Sequence, residues 1–337
     1  MKDDIYLVVD QGASKTIALA VSPTGSILAF ADDYALVKNH GRERIGPEIR
    51  LKFVVRNLVE KIGNRNICFS KSCIAVNGIN TPEDAESFRK RLLGIVAFGE
   101  TLIINDSIAA LHGGFIEMPQ EENLVVICAG TRFNCHAETA KGGVATLGWR
   151  VSCQDHGAFA LGGKAWDAAV DGFNGLKAAT KLTDLFIRHF STPGMDALME
   201  GFFSGAIPFD TPSFAPLLFD AASIEDEVAL GIVDMFASRW VSYAKLSLQL
   251  AGEKELTHGN IVLSGGVFKF DRGFLQKAIM LSAKEKLPLF SICCAQFEPV
   301  GGAALFLFRK IYDKAKMRGI AKEFSSSYLQ KIKMRHL

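Results

Sequence analysis

Apolar positions fall into short runs that end abruptly in small or polar residues. Residues 5–10, 17–22 and 26–31 read as three strands, separated by turns at Gly12-Ala13-Ser14 and Pro23-Thr24-Gly25. A meander therefore opens the chain. Ile49, Phe53, Leu58 and Ile62 then recur near a helical period, and Cys73 to Val76 reads as a short buried strand. Thr81-Pro82-Glu83-Asp84 predicts a helix start, with a hydroxyl cap, proline in the first turn and acids that complement the helix dipole. A strand over Thr101 to Ile104 runs into Asn105-Asp106, and a helix follows over Ser107 to Leu111.

From Leu124 the pattern starts again. Strands are predicted over 124–128, 133–139 and 143–147, then several helices between 157 and 250. A strand at Ile261 to Leu263, a helix over 271–285, a strand over 289–292 and a helix over 301–315 complete it. Alternating layers of this kind predict an α/β fold in which the topology repeats and the sequence does not. His112 to Asn123, with Gly113-Gly114 and Pro119, reads as a hinge. Pro208, Pro212 and Pro216 read as an irregular insert, and the basic stretch from Lys314 as a solvated helix face or an interaction surface.

A length of 337 residues favours two domains. The split expected is 1–112, 113–318 with a helical insert, and a basic tail over 319–337 that packs back on the N-terminal domain. Charge is nearly balanced, with 38 Lys and Arg against 36 Asp and Glu, which gives no general attraction for nucleic acid or a membrane surface. No run is long and apolar enough to span a bilayer and none reads as a secretory signal, so a cytoplasmic location is expected. The seven cysteines form no CxxC pair and are expected to be reduced and mostly buried; the seven histidines show no metal-ligand spacing.

Two strand ends carry candidate chemistry. Asp10 is followed by Gln11-Gly12-Ala13-Ser14-Lys15-Thr16, a turn whose small residues allow close backbone approach to a phosphate. There Asp10 holds Mg²⁺ while Lys15 or Thr16 faces phosphate oxygens, or else the segment is an ordinary hairpin turn with an acid at its edge. Asp106 ends another strand, either as a helix cap or as the base that takes a proton from an acceptor hydroxyl. Asp155, in Gln154-Asp155-His156-Gly157, raises the same choice. Gly265-Gly266 and Gly301-Gly302 allow a base or phosphate to lie on backbone, or simply allow tight packing.

The order of these motifs resembles the N-acetylglucosamine kinase branch of the BadF/BadG/BcrA/BcrD-type ATPase family, within the fold group of actin, the sugar kinases and the heat-shock chaperone ATPases. Asp10 to Thr16 is similar to its first phosphate loop, DGGGTKT, and Asn105-Asp106-Ser107-Ile108-Ala109-Ala110-Leu111 to its NDAxAAL segment. Gly130-Thr131-Arg132-Phe133-Asn134-Cys135 stands for GTGSNC. Gly148-Trp149-Arg150 with Gln154 to Ala158 stands for GWGxxxGDEGS. Leu263-Ser264-Gly265-Gly266-Val267 and Pro299-Val300-Gly301-Gly302-Ala303 match the adenosine motif and the closing segment.

The resemblance implies two ribonuclease H-like domains with mixed five-stranded sheets around an interdomain cleft, and an ATP- and Mg²⁺-dependent sugar kinase that works as a homodimer. It implies Asp106 as general base and Asp10 at the metal. Gly12, Ser14, Lys15, Thr16, Gly130, Thr131 and Arg132 would line the phosphates, and Gly265 and Gly266 the nucleotide. Asn39, Asn134 and Asp155 would hold the sugar. Arg132 and Phe133 depart from the family's Gly-Ser; they put bulk near the γ-phosphate, or Arg132 supplies it a bidentate donor. Gln154 and His156 replace Gly and Glu beside Asp155, and Gln11 and Ala13 thin the first loop's glycines. Two other functions stay open: a non-catalytic or altered-specificity sugar or nucleotide sensor, and a dehydratase-activator-type ATPase with an iron–sulfur cluster.

Overall fold

The computed structural model describes residues 4–40, 45–63, 67–92 and 97–332. They form an α/β protein with two five-stranded mixed sheets, and the chain divides into two compact units, Met1–Gln120 with Cys294–Leu337, and Glu121–Cys293. The expected division ran at 112/113 and placed residues up to 318 in the second part. In the structure residues 294–318 group with the first unit instead, and the tail beyond them groups there as expected.

In the first unit β1 (Tyr6–Gln11), β2 (Thr16–Val21) and β3 (Ile27–Asp32) form an antiparallel meander. β4 (Cys68–Val76) and β5 (Ala97–Asn105) add to it in parallel, giving the order β3-β2-β1-β4-β5. Every residue of β1 and β2 is buried because both faces are covered. Tyr6 and Val8 point into one apolar cluster while Leu7 and Val9 point into another, as the two-residue period of a strand requires. One cluster is completed by α2 (Pro47–Ile62) and α3 (Pro82–Leu92). The other is completed by α4 (Asp106–His112) together with α12 (Pro299–Ile311) and α13 (Lys314–Lys331).

Residues 34–40 form the helix α1 (Tyr34–His40). The stretch expected to be a hinge is fastened down. Arg309 of α12 donates to the carbonyl oxygens of His112, Phe115 and Ile116, and Gly113 O accepts from the backbone N–H groups of Gln296 and Phe297, each at 3.0 Å. The basic helix α13 buries Met317, Ala321, Phe324 and Tyr328, and Ser327 Oγ caps the edge of β3 by accepting from Ile27 N at 2.9 Å.

The second unit repeats this connectivity. β6 (Asn123–Ala129), β7 (Phe133–Glu138) and β8 (Val144–Thr146) are antiparallel neighbours, and β9 (Gly259–Ser264) joins β6 in parallel, followed by β10 (Phe290–Cys294). Counted within each unit, both sheets run third, second, first, fourth, fifth. Between β8 and β9 come α5 (Gly157–Phe173), α6 (Leu182–Phe190), α7 (Met195–Phe203), α8 (Thr211–Ala222) and α9 (Glu227–Leu250); α10 (Val267–Phe270) and α11 (Phe274–Lys286) follow β9. The insert marked by prolines is helical except around Pro208, which lies in the non-helical stretch before α8: Pro212 sits in the first turn of α8 and Pro216 inside it.

Candidate active site

The first unit places five of the anticipated residues, Asp10, Gly12, Ser14, Lys15 and Asp106, at the ends of β1 and β5. Asp10 is almost fully buried near the end of β1, and the turn after it closes with Gly12 N donating to Lys15 O at 3.0 Å. Gly12 O accepts from Arg50 Nη2 at 3.1 Å, and Gln11 Nε2 donates to Pro47 O at 2.6 Å, so the start of α2 fixes the turn's outer rim. Lys15 extends outward to Glu298 Oε2 at 2.7 Å, at the start of α12. Ser14 is half-buried at the turn. Thr16 differs from the expectation of a phosphate-facing hydroxyl: it is the first residue of β2, wholly buried.

Asp106 opens α4 but does not cap it. Asn105 is the cap, its Oδ1 accepting from Ser107 N at 2.9 Å and Ser107 Oγ at 2.6 Å. The Asp106 carboxylate is thereby left for other work, and Oδ2 accepts from Asn77 Nδ2 at 3.2 Å. Asp106 keeps part of its surface open, yet enough protein packs round the carboxyl to raise its pKa, opposed by hydrogen bonds from Asn77 and the backbone of Ser107. Asp10 is pushed up to about 7, first by burial and then by the negative charge of Asp106, with Lys15 pulling the other way. Two strand-end acids close enough for the charge of Asp106 to raise the proton affinity of Asp10 are a hard-oxygen donor set suited to Mg²⁺, which takes one or two carboxylates and fills its remaining positions with water and phosphate oxygens.

In the second unit the loop between β6 and β7 is stitched to the start of α5. Gly130 N donates to Arg132 O at 2.9 Å, Ala158 N to Gly130 O at 2.8 Å and Phe159 N to Thr131 O at 3.1 Å. Phe133 does not obstruct this loop. Its ring is buried and stacks on Trp240 with centroids 4.8 Å apart. Arg132 is exposed, and its φ is not among the positive ones, so the position does not need a glycine. Burial and the nearby Arg132 charge hold the His156 imidazole below its ordinary pKa. Gly265 has φ +114°, and a Cβ there would lie 2.2 Å from Ala129 O, so the position admits no side chain; Gly266 faces open space. Gly301 and Gly302 have a packing role: a Cβ on Gly302 would meet Ala109 O of α4 at 1.8 Å.

The three anticipated sugar contacts fare differently. Asn134 Oδ1 accepts from Gly148 N at 3.1 Å and Cys135 N at 2.9 Å, bracing the loop. Asp155 Oδ2 is bound by Arg239 Nε at 2.9 Å and Tyr243 Oη at 2.7 Å, both from α9. Asn39 lies in the last turn of α1, and its side chain is outside the described residues. Asn77, Arg50, Glu298, Arg239 and Tyr243 were not anticipated. Only Asn77-Gly78 carried a signal, as a turn dipeptide after a strand. Cys73 and Cys135 are buried, whereas Cys68, Cys153 and Cys294 are exposed, against the expectation of mostly buried thiols. No described helix is long and apolar enough to cross a membrane.

No protein-family model matches the chain. It is similar to an N-acetyl-D-glucosamine kinase of Dictyostelium discoideum, 23% identical over 331 residues that cover 90% of this chain and 98% of that protein. A Chromobacterium violaceum protein provisionally named an N-acetylglucosamine kinase has a similar structure, with a TM-score of 0.66, 18% identity, and coverage of 90% of this chain and 99% of that one. A ROK family glucokinase from Streptomyces griseus, solved with glucose and AMPPNP, gives 0.53 at 15% identity, covering 94% and 98%. The chain thus has the fold of the actin-like sugar kinases.

Proposed function

We propose that this protein is an ATP-dependent sugar kinase that transfers the γ-phosphoryl group to a hydroxyl of an amino sugar or related hexose. The observation that carries the reading is the pair of strand-end acids, Asp10 and Asp106, beside a tight turn with its backbone amides near an outward lysine. Similarity along nearly the whole length of an N-acetyl-D-glucosamine kinase supports the same reading.

Asp106 accepts the proton of the attacking hydroxyl as the new P–O bond forms. Its carboxyl suits that work: freed from capping by Asn105 and oriented by Asn77, it has a pKa raised above the ordinary carboxylate value by burial. Asp10 would hold Mg²⁺, directly or through water, and the ion would neutralise charge on the phosphate oxygens. Gly12, Ser14 and Lys15 on one loop and Gly130, Thr131 and Arg132 on the other supply backbone amides and positive charge to the phosphates; Gly265 and Gly266 border the nucleotide. The inward Phe133 removes the steric argument for a loop that binds without transferring.

A coupled ADP-release assay against a panel of amino sugars and hexoses tests the reading. Turnover is expected with at least one sugar, and Asp106→Asn should reduce it by at least ~10²-fold while nucleotide affinity stays nearly unchanged. Wild-type turnover in D106N would overturn the assignment of the base, and nucleotide binding with no sugar-dependent ADP release would overturn the kinase itself.

A further inference from the structure

A cavity of about 400 Å³ lies in the second unit between the turn at Gly148–Arg150 and α9. Its size is that of a small-molecule site. Trp149, Arg150 and Ser152 line one side, and Arg239, Ser242 and Tyr243 the other. No acid is among the lining residues; Arg239 is paired with Asp155, which Tyr243 also binds, so the net positive charge of the wall comes from Arg150. Positive charge is reinforced from behind: Lys286 Nζ donates to Ser242 Oγ at 2.8 Å and to Ser238 O and Oγ at 2.7 Å. Both guanidinium groups are held over rings, Arg150 at 5.5 Å from the Trp149 centroid and Arg239 at 5.2 Å from that of Tyr243.

Trp149 is 65% exposed, an unusual state for the largest apolar side chain. An indole face in the open, flanked by two arginines and two hydroxyls, matches a ligand with an apolar ring face, polar edges and one anionic group. We propose that this cavity binds an anionic monosaccharide, its ring on Trp149 and its carboxylate or phosphate held by Arg150 and Arg239. Arginine suits that task because its planar fork pairs with either anion in bidentate fashion. The neutral hydroxyls of Ser152 and Ser242 face the ring hydroxyls. Binding here does not depend on the kinase reading and is measured without turnover.

The test is titration of the full-length protein, by calorimetry and tryptophan fluorescence, with glucose 6-phosphate, glucuronate, glucose and inorganic phosphate. At least one anionic sugar should bind about tenfold or more tightly than glucose or phosphate alone, with an affinity that falls as salt rises. The two anionic sugars together decide between phosphate and carboxylate. Arg150→Ala, an exposed substitution, should weaken that binding about tenfold or more, and Trp149→Phe should remove the fluorescence change. D106N should bind as the wild type does, which separates this outcome from any failure of catalysis. Binding of glucose that is as tight and as sensitive to R150A, indifference of the anionic sugars to R150A, or no binding of any probe would each overturn the proposal.

Discussion

Gly157 shows how a single residue sets the geometry of the loop between β6 and β7. Its φ is +38°, and a Cβ there would lie 2.3 Å from Gly130 O and 2.4 Å from Arg132 O. Both neighbours are backbone atoms, so neither can turn aside. Gly157→Ala is therefore expected to push the loop off α5 and to destabilise the protein by about 1–3 kcal/mol, with weaker nucleotide binding; thermal unfolding and nucleotide titration read the two effects. Unchanged nucleotide affinity would show that the loop tolerates the displacement. Sequence pattern pointed to Gly130 and to the segment around Asp155, because small residues after an apolar run carry a local signature. It gave no sign of what Asp155 touches. Arg239 and Tyr243 lie one turn apart in a long helix, where such a pair looks like any amphipathic surface, and only tertiary folding brings them to the carboxylate.

At the scale of elements, α3 was legible because its signals are local. Asp84 N donates to Thr81 Oγ1 at 3.1 Å, and Asp84 Oδ2 accepts from the N–H groups of Asn80 and Thr81 at 2.9 Å, a reciprocal cap. These bonds hold the Asp84 carboxyl below its ordinary pKa, led by the one from Asn80. A depressed folded pKa gives stability that is fully present above the unfolded value of about 4 and is lost as pH falls through the folded one. Asp84→Ala should lower the melting temperature near neutral pH, and the gap from wild type should close towards about pH 2. A gap that persists in acid would show that the side chain acts through something other than its charge. The strands of both meanders were legible for a similar reason: each is an apolar run stopped by a turn. α8 was not, since Pro208, Pro212 and Pro216 read as breakers. Pro212 falls in the first turn, where no N–H is needed, and Pro216 sacrifices a single bond in a helix that buries Phe214, Leu217, Leu218 and Phe219. Packing outweighed propensity there.

Across the whole molecule, residues 294–318 are the part that local pattern placed in the other unit, while the basic tail 319–337 was expected against the first; together they carry the clearest consequence. The apolar cluster beneath β1 and β2 takes more than half of its residues from beyond position 294, among them Val300, Leu305, Leu307, Phe308, Phe324 and Tyr328. At ~1.5–3 kcal/mol for each large side chain, removing them forfeits on the order of 10 kcal/mol. Such a loss rivals the entire stability of a domain, about 5–15 kcal/mol. The main cluster of the second unit, by contrast, runs from Val125 to Phe290 and takes nothing from outside 121–293. A fragment of residues 121–293 should therefore unfold cooperatively on its own, by circular dichroism and denaturant titration. Residues 1–120 alone should not, and adding a peptide of residues 294–337 should restore a cooperative transition. Cooperative folding of 1–120 by itself would mean that β1 to β5 with α2 and α3 suffice, and that α12 and α13 only cover a finished sheet.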